Sequence, residues 1–121
     1  MEKHIRQAMD SALARLRRLE SLAELRQLAA KANVLVVFTA DDCECCPTAL
    51  FNIADLSRRY AGAVELCWAR LEDNHDIVLN YAVTEYPSAV VLRPGAPPEK
   101  IAGRQLADSQ VTRRVLDAAS K

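Results

Sequence analysis

Three of the four cysteines in this 121-residue chain fall within four positions, Cys43-Glu44-Cys45-Cys46, with Pro47 next. The thiolate is the nucleophilic form of cysteine, and it exchanges with disulfides by attack on sulfur. Two cysteines spaced as Cys43-x-x-Cys46 at the start of a helix lie about one turn apart, close enough to bridge. Unpaired backbone N–H groups and the positive end of the helix dipole would face any charge that develops on sulfur there. The chemistry these residues suggest is thiol–disulfide exchange.

The neighbouring segments supply the frame. Val34-Leu35-Val36-Val37-Phe38-Thr39-Ala40 is apolar at six of seven positions and rich in β-branched residues, as a strand buried on both faces should be. Thr48 to Tyr60 follows with Leu50, Ile53, Ala54 and Leu56 at helical spacing. The cysteines therefore fall where a core strand hands over to a helix.

Upstream, residues 3–19 carry Ile5, Met9, Ala12, Leu13, Leu16 and Leu19 on one helical stripe. Two uses of that stripe stay open: docking on its own domain, or contact with a second copy (a homodimer) or another partner. Ser21-Leu22-Ala23-Glu24 has the form of a capping box and opens a helix ending near Asn33. Downstream, Ala61-Gly62 breaks the cysteine helix. Ala63 to Leu71 then reads as a strand with Val64, Leu66, Trp68 and Arg70 on one side and Glu65, Cys67, Ala69 and Leu71 on the other. A short helix over 76–82, strands at Ser88–Leu92 and Glu99–Ala102, and a last helix capped by Asp108 or Ser109 complete the pattern. Val111, Val115, Leu116 and Ala119 are its expected buried residues. The reading is one α/β domain over 1–121, with 1–20 a helical extension and 21–119 the core.

Composition narrows the partners. Sixteen basic residues balance sixteen acidic ones, so no net field recommends nucleic acid or an anionic membrane. No run of about 20 apolar residues spans a bilayer. Charges at Glu2, Lys3, Arg6 and Asp10 interrupt any apolar signal region, so a cytoplasmic location is expected. Clustered cysteines also differ from the framework of a small secreted protein.

With the order helix, strand, Cys-x-x-Cys, helix, strand, helix, proline, strand, strand, helix, the chain resembles the thioredoxin family from about Ser21 to Ala119. Val34–Ala40 is similar to that family's central strand, and Glu85-Tyr86-Pro87-Ser88 to the segment with its cis-proline; Gly103 also fits. The resemblance implies a thioredoxin-like fold, a central mixed sheet of about four strands flanked by helices, with the N-terminal helix in place of the usual first strand. It implies that Cys43 is the exposed nucleophile and Cys46 the more buried resolving thiol. It implies further that the Tyr86-Pro87 bond is cis, faces the cysteines and helps bind an extended substrate. Protein thiols or disulfides are then the substrates, a dithiol reductase the electron donor, and no cofactor or metal is required.

Several residues depart from that family's pattern. Asp42 stands where a tryptophan is usual before the first cysteine, and Glu44-Cys45 replaces Gly-Pro. Val37 takes the place of a buried carboxylate on the central strand, and Trp68 that of a nearby lysine. A helix end stabilises an anion by roughly 0.3–1 kcal/mol, up to ~2 when partly buried. A carboxylate ~7 Å away costs a thiolate roughly 0.6–1.2 kcal/mol, so Asp42 and Glu44, with Asp41 near, can cancel the helix contribution. A less acidic Cys43, a reductant-like poise and weak affinity for anions such as glutathione are expected; a thiol titration with an apparent value well below 6 would contradict this.

Cys45 is the odd member, open to three readings: a bystander on the first helical turn, a competing disulfide partner, or a soft metal ligand. A four-sulfur site would need Cys67, whose strand parity makes it a buried apolar residue instead. His75 and His4 read as solvated surface residues. Trp68, below the active site, should report on the disulfide. Two further functions compete with an oxidoreductase: a thioredoxin-fold interaction or chaperone module with weak or redox-sensing cysteines, and a metal–thiolate protein.

Overall fold

Alternation along the apolar run Val34–Thr39 (β2) decides the architecture. Leu35 and Val37 point into one hydrophobic core, and Val34, Val36 and Phe38 into another on the opposite sheet face. The computed structural model, which describes Gln7 and residues 10–121, sets β2 at the centre of a five-stranded sheet of order β1-β3-β2-β4-β5. The other strands are β1 (Arg17–Arg18), β3 (Glu65–Arg70), β4 (Ser88–Leu92) and β5 (Glu99–Ala102). β1 and β2 each pair parallel with β3, whereas β4 pairs antiparallel with both β2 and β5. The mixed sheet and thioredoxin fold are as the sequence implies.

The fifth strand corrects the expectation of a helix running through residue 19. Residues 10–13 are helical, and the chain then extends so that Arg17 and Arg18 pair with Cys67 and Trp68. Leu16 and Leu19 enter opposite cores, which a three-residue spacing achieves in extended chain but not on one helical face. The open edge of β3, with a core on either side, outweighs local helix propensity. Ile5, Met9 and His4 lie outside the described residues.

Helix α1 (Leu22–Lys31) starts at Ser21, whose hydroxyl accepts from the Glu24 N–H at 3.1 Å. The Glu24 carboxylate reaches back to the Glu20 N–H at 3.0 Å, one residue before the position a capping box uses. α1 and α3 (His75–Asn80) cover the face holding Cys67; α2 (Cys46–Tyr60) and α5 (Ser109–Ala119) cover the other. In α5 the buried positions are Thr112, Leu116 and Ala119, with Val111 and Val115 only half-buried. Thr112 is accommodated because its hydroxyl donates to the carbonyls of Leu106 and Asp108. Asp108 caps the helix by accepting from the N–H groups of Gln110 and Val111.

A four-residue helix, α4 (Gly103–Leu106), joins β5 to α5, too short to leave a periodic signal in the sequence. Its first residue must be glycine for a packing reason: a Cβ there would fall on the backbone carbonyl of Pro87. Among the described residues no helix is long and apolar enough to cross a membrane.

Candidate active site

β2 ends at Thr39 and a turn over residues 41–45 carries Cys43, whose N–H donates to the Ala40 carbonyl at 3.2 Å. Helix α2 begins at Cys46 with Cys45 as its N-cap, so Cys43 sits in the turn before the helix rather than in its first turn. Pro47 occupies the first turn, where a missing N–H leaves no intrahelical bond unmade. Cys43 and Cys46 form a disulfide with a Cα–Cα distance of 5.5 Å, within the usual range. Cys43 is half-buried and Cys46 only 2% exposed. Cys45 is a free, exposed thiol whose side chain caps nothing.

Behind the disulfide lies a cavity of about 340 Å³. Leu13, Pro47, Leu50 and Trp68 give it an apolar wall; Thr39, Ala40, Asp41 and Arg70 complete it with Cys43 and Cys46. Trp68 thus stands beside the cysteine pair, and Val37, its neighbour across β2 and β3, is fully buried in the same core.

Arg70 is a further functional candidate at this site, tied to the turn that carries Cys43. Strand alternation put it on the Trp68 side, but its partner lies 29 residues away and gave no local signal. Its guanidinium forks onto Asp41, with Nε and Nη2 at 2.7 and 2.5 Å from the two carboxylate oxygens. Nη1 also meets Asp73 at 2.9 Å, and Asp73 in turn holds Arg18 at 2.9 Å. Arg18 lies over the Trp68 ring, 5.8 Å from its centroid. The Asp41 N–H donates to Glu72 at 3.1 Å. Hydrogen bonds donated to Asp41 and Asp73 hold Arg70 more firmly protonated than usual, and Arg70 holds the Asp73 carboxyl below its ordinary range. The turn carrying Cys43 is thereby tied to the end of β3, while Asp42 and Glu44 remain exposed on it.

Tyr86 and Pro87 do not line the cavity. Ser88 pairs with Phe38, so the buried Pro87 immediately precedes β4 at the end of the ladder where β2 leads towards the cysteines. The Tyr86–Pro87 bond is cis. Tyr86 is half-buried, and desolvation, with Glu72 adding to it, raises its hydroxyl above the ordinary value.

Cys67 lies in the core on the opposite face of the sheet, where burial, with help from Glu65, pushes its thiol up to about 12. The four-sulfur site is therefore ruled out by geometry: the sheet separates Cys67 from the other three. Among the described residues no group of three or more His, Cys, Asp or Glu side chains is placed to hold a metal ion. His75 is exposed at the start of α3.

A mixed sheet of this order, with a disulfide on the turn from its central strand into a packed helix, defines a thioredoxin-fold protein with a dithiol–disulfide centre. The sequence model of the thioredoxin family matches residues 20–114, and the chain belongs to that family. It is 29% identical over 76 residues to the chloroplastic thioredoxin M5 of Oryza sativa subsp. japonica, a match covering 63% of this chain and 44% of that protein. The chain thus spans less than half of that curated relative. The oxidized mitochondrial thioredoxin 3 of Saccharomyces cerevisiae superposes with a TM-score of 0.77 at 21% identity, over 88% of this chain and 98% of that one. Fasciola hepatica thioredoxin gives 0.74 at 21% identity, over 86% and 99%. At such identities the two solved structures speak for the fold.

Proposed function

We propose that the protein is a thiol–disulfide oxidoreductase that exchanges electrons with protein substrates through Cys43 and Cys46. The observation that carries this reading is the Cys43–Cys46 disulfide itself, with one sulfur's residue half-exposed and the other's buried beside a cavity. In the reduced protein the Cys43 thiolate attacks a substrate disulfide, and the bond that breaks leaves one substrate sulfur as a thiolate. Cys46 then attacks Cys43, the mixed disulfide breaks, and the second substrate thiolate leaves. An external dithiol reductase returns the electron pair.

Tyr86 and Pro87, beside the end of β2, would hold the substrate chain as an added strand. Asp42 and Glu44 act on Cys43 as like charges, slow its attack near neutral pH and turn away anionic partners. Reduction of insulin disulfides is the direct test. Turnover abolished by Cys43→Ser and by Cys46→Ser supports an enzyme, and no turnover by the parent protein overturns it.

A second reading, an interaction module with weakly active cysteines, draws on one observation. Val37 is fully buried among apolar residues, so β2 offers the inner thiol no carboxylate. The described part of the N-terminal stripe favours docking on its own domain, since Ala12, Leu16 and Leu19 are buried there and Leu13 lines the cavity.

A further inference from the structure

Resolution of the mixed disulfide requires Cys46 to lose a proton, and its surroundings oppose that. Cys46 is only 2% exposed, so burial disfavours a charge on its sulfur, and the residues at the end of the central strand that share its cavity, Thr39 and Ala40, bring none to offset that. Among the described residues, the cavity wall brings in just two ionisable side chains besides the cysteines, Asp41 and Arg70. Their exposures differ: the Arg70 side chain is 33% exposed and that of Asp41 58%. Water screens the carboxylate more than the guanidinium, so the cation acts more strongly across the cavity than its partner does.

We propose that Arg70 is a positioning residue that sets the ionisation of the inner thiol, Cys46, from across the cavity. The proposal rests on the oxidoreductase reading for its purpose but not for its measurement. In the resolving step, Cys46 gives its proton to water and its thiolate forms the new bond to the Cys43 sulfur. The electron pair of the broken bond departs on the substrate sulfur, which takes up a proton from water.

The charges that face Arg70 come from three directions. Asp41 approaches from the turn after β2, Glu72 and Asp73 from the residues after β3, and Arg18 from β1 by way of Asp73. Of these only Asp41 shares the cavity with the sulfurs. Asp42 and Glu44 flank Cys43 in the exposed turn and add negative charge at the mouth. The two members of the Asp41–Arg70 pair should therefore act on Cys46 with opposite sign. A purely structural role, anchoring the turn, would make both substitutions act alike.

The test is a pH titration of thiolate absorbance in the full-length protein carrying Cys43→Ser and Cys45→Ser. There Cys46 titrates alone below the range of Cys67, whose thiol lies near 12. Arg70→Met is expected to raise the Cys46 midpoint by roughly half to one pH unit, and Arg70→Lys to restore it. Asp41→Asn should lower the midpoint, and each shift should shrink at high salt. No shift in Arg70→Met, or shifts of one sign in Arg70→Met and Asp41→Asn, overturns the proposal. Should Arg70→Met fail to fold, Asp41→Asn decides: a lower midpoint supports the assignment, and an unchanged or higher one overturns it. Because this titration needs no turnover, a negative insulin assay would overturn the oxidoreductase reading and leave the Arg70 result standing.

Discussion

Cys46 and Cys67 are equally hidden, at 2% and 1% exposed, yet the fold puts them in different chemical situations. Cys46 opens a helix, is bonded to a half-exposed partner and borders a cavity walled by Arg70 and Asp41. Cys67 sits mid-strand on the other sheet face among Leu25, Val36 and Ile77, with its thiol pushed up to about 12. Burial alone therefore does not make a cysteine reactive or inert. What separates the two is a second sulfur within bonding reach and a space through which water and charge act on the thiol.

The largest effect that sharpens this contrast is on turnover. Cys46→Ser should lower insulin reduction by roughly 100-fold or more and leave substrate trapped on Cys43, whereas Cys67→Ala should stay within about twofold of the parent. Comparable losses from the two substitutions would erase the distinction.

Next comes stability at alkaline pH. An unfolded Cys67 thiol ionises near pH 8.5–9, whereas the folded one keeps its proton to about 12. Between those values the folded protein binds the extra proton, so Cys67 stabilises fully below pH 8.5 and loses that contribution as pH rises. Denaturant unfolding should show the parent more stable than Cys67→Ala by about 1–2 kcal/mol at pH 8. By pH 10.5 the difference should have fallen by roughly 2 kcal/mol. A difference constant with pH would contradict the burial argument.

Charge at the mouth gives a smaller, kinetic effect. Asp42→Asn with Glu44→Gln should speed alkylation of Cys43 at pH 7 about two- to fivefold at low ionic strength, with the gain fading in salt. Slower alkylation would show that the acids assist the thiolate.

The smallest effect lies on the Cys67 side alone. Ala82 has φ +52° where α3 ends, its N–H bonding to Leu79 and that of Val83 to Val78. Glycine suits that left-handed position better than alanine. Ala82→Gly should stabilise by about 0.5–1 kcal/mol in denaturant unfolding while the reactivity of Cys43 is unchanged.

What the sequence revealed follows from where each signal resides. The run Val34–Thr39, the Cys43/Cys46 spacing and the strand parity of Trp68 and Cys67 are local patterns, and the structure reproduces them. β1 was hidden because Leu16 and Leu19 fit a helical stripe as well as they fit two faces of a sheet; only the open edge of β3 decides between them. α4 has four residues and starts with glycine, too little for a periodic signal. At the site, the cysteines were readable as a pair, but the anchoring of Asp41 by Arg70 joins segments 29 residues apart and exists only in the folded chain.

The most direct measurement is differential alkylation with peptide mass mapping of the protein before and after reduction by a dithiol. Two additional alkylated sulfurs should appear on reduction, at Cys43 and Cys46, with Cys45 labelled in both states and Cys67 in neither. A linkage through Cys45, or Cys43 and Cys46 already labelled in the oxidised protein, would contradict the account.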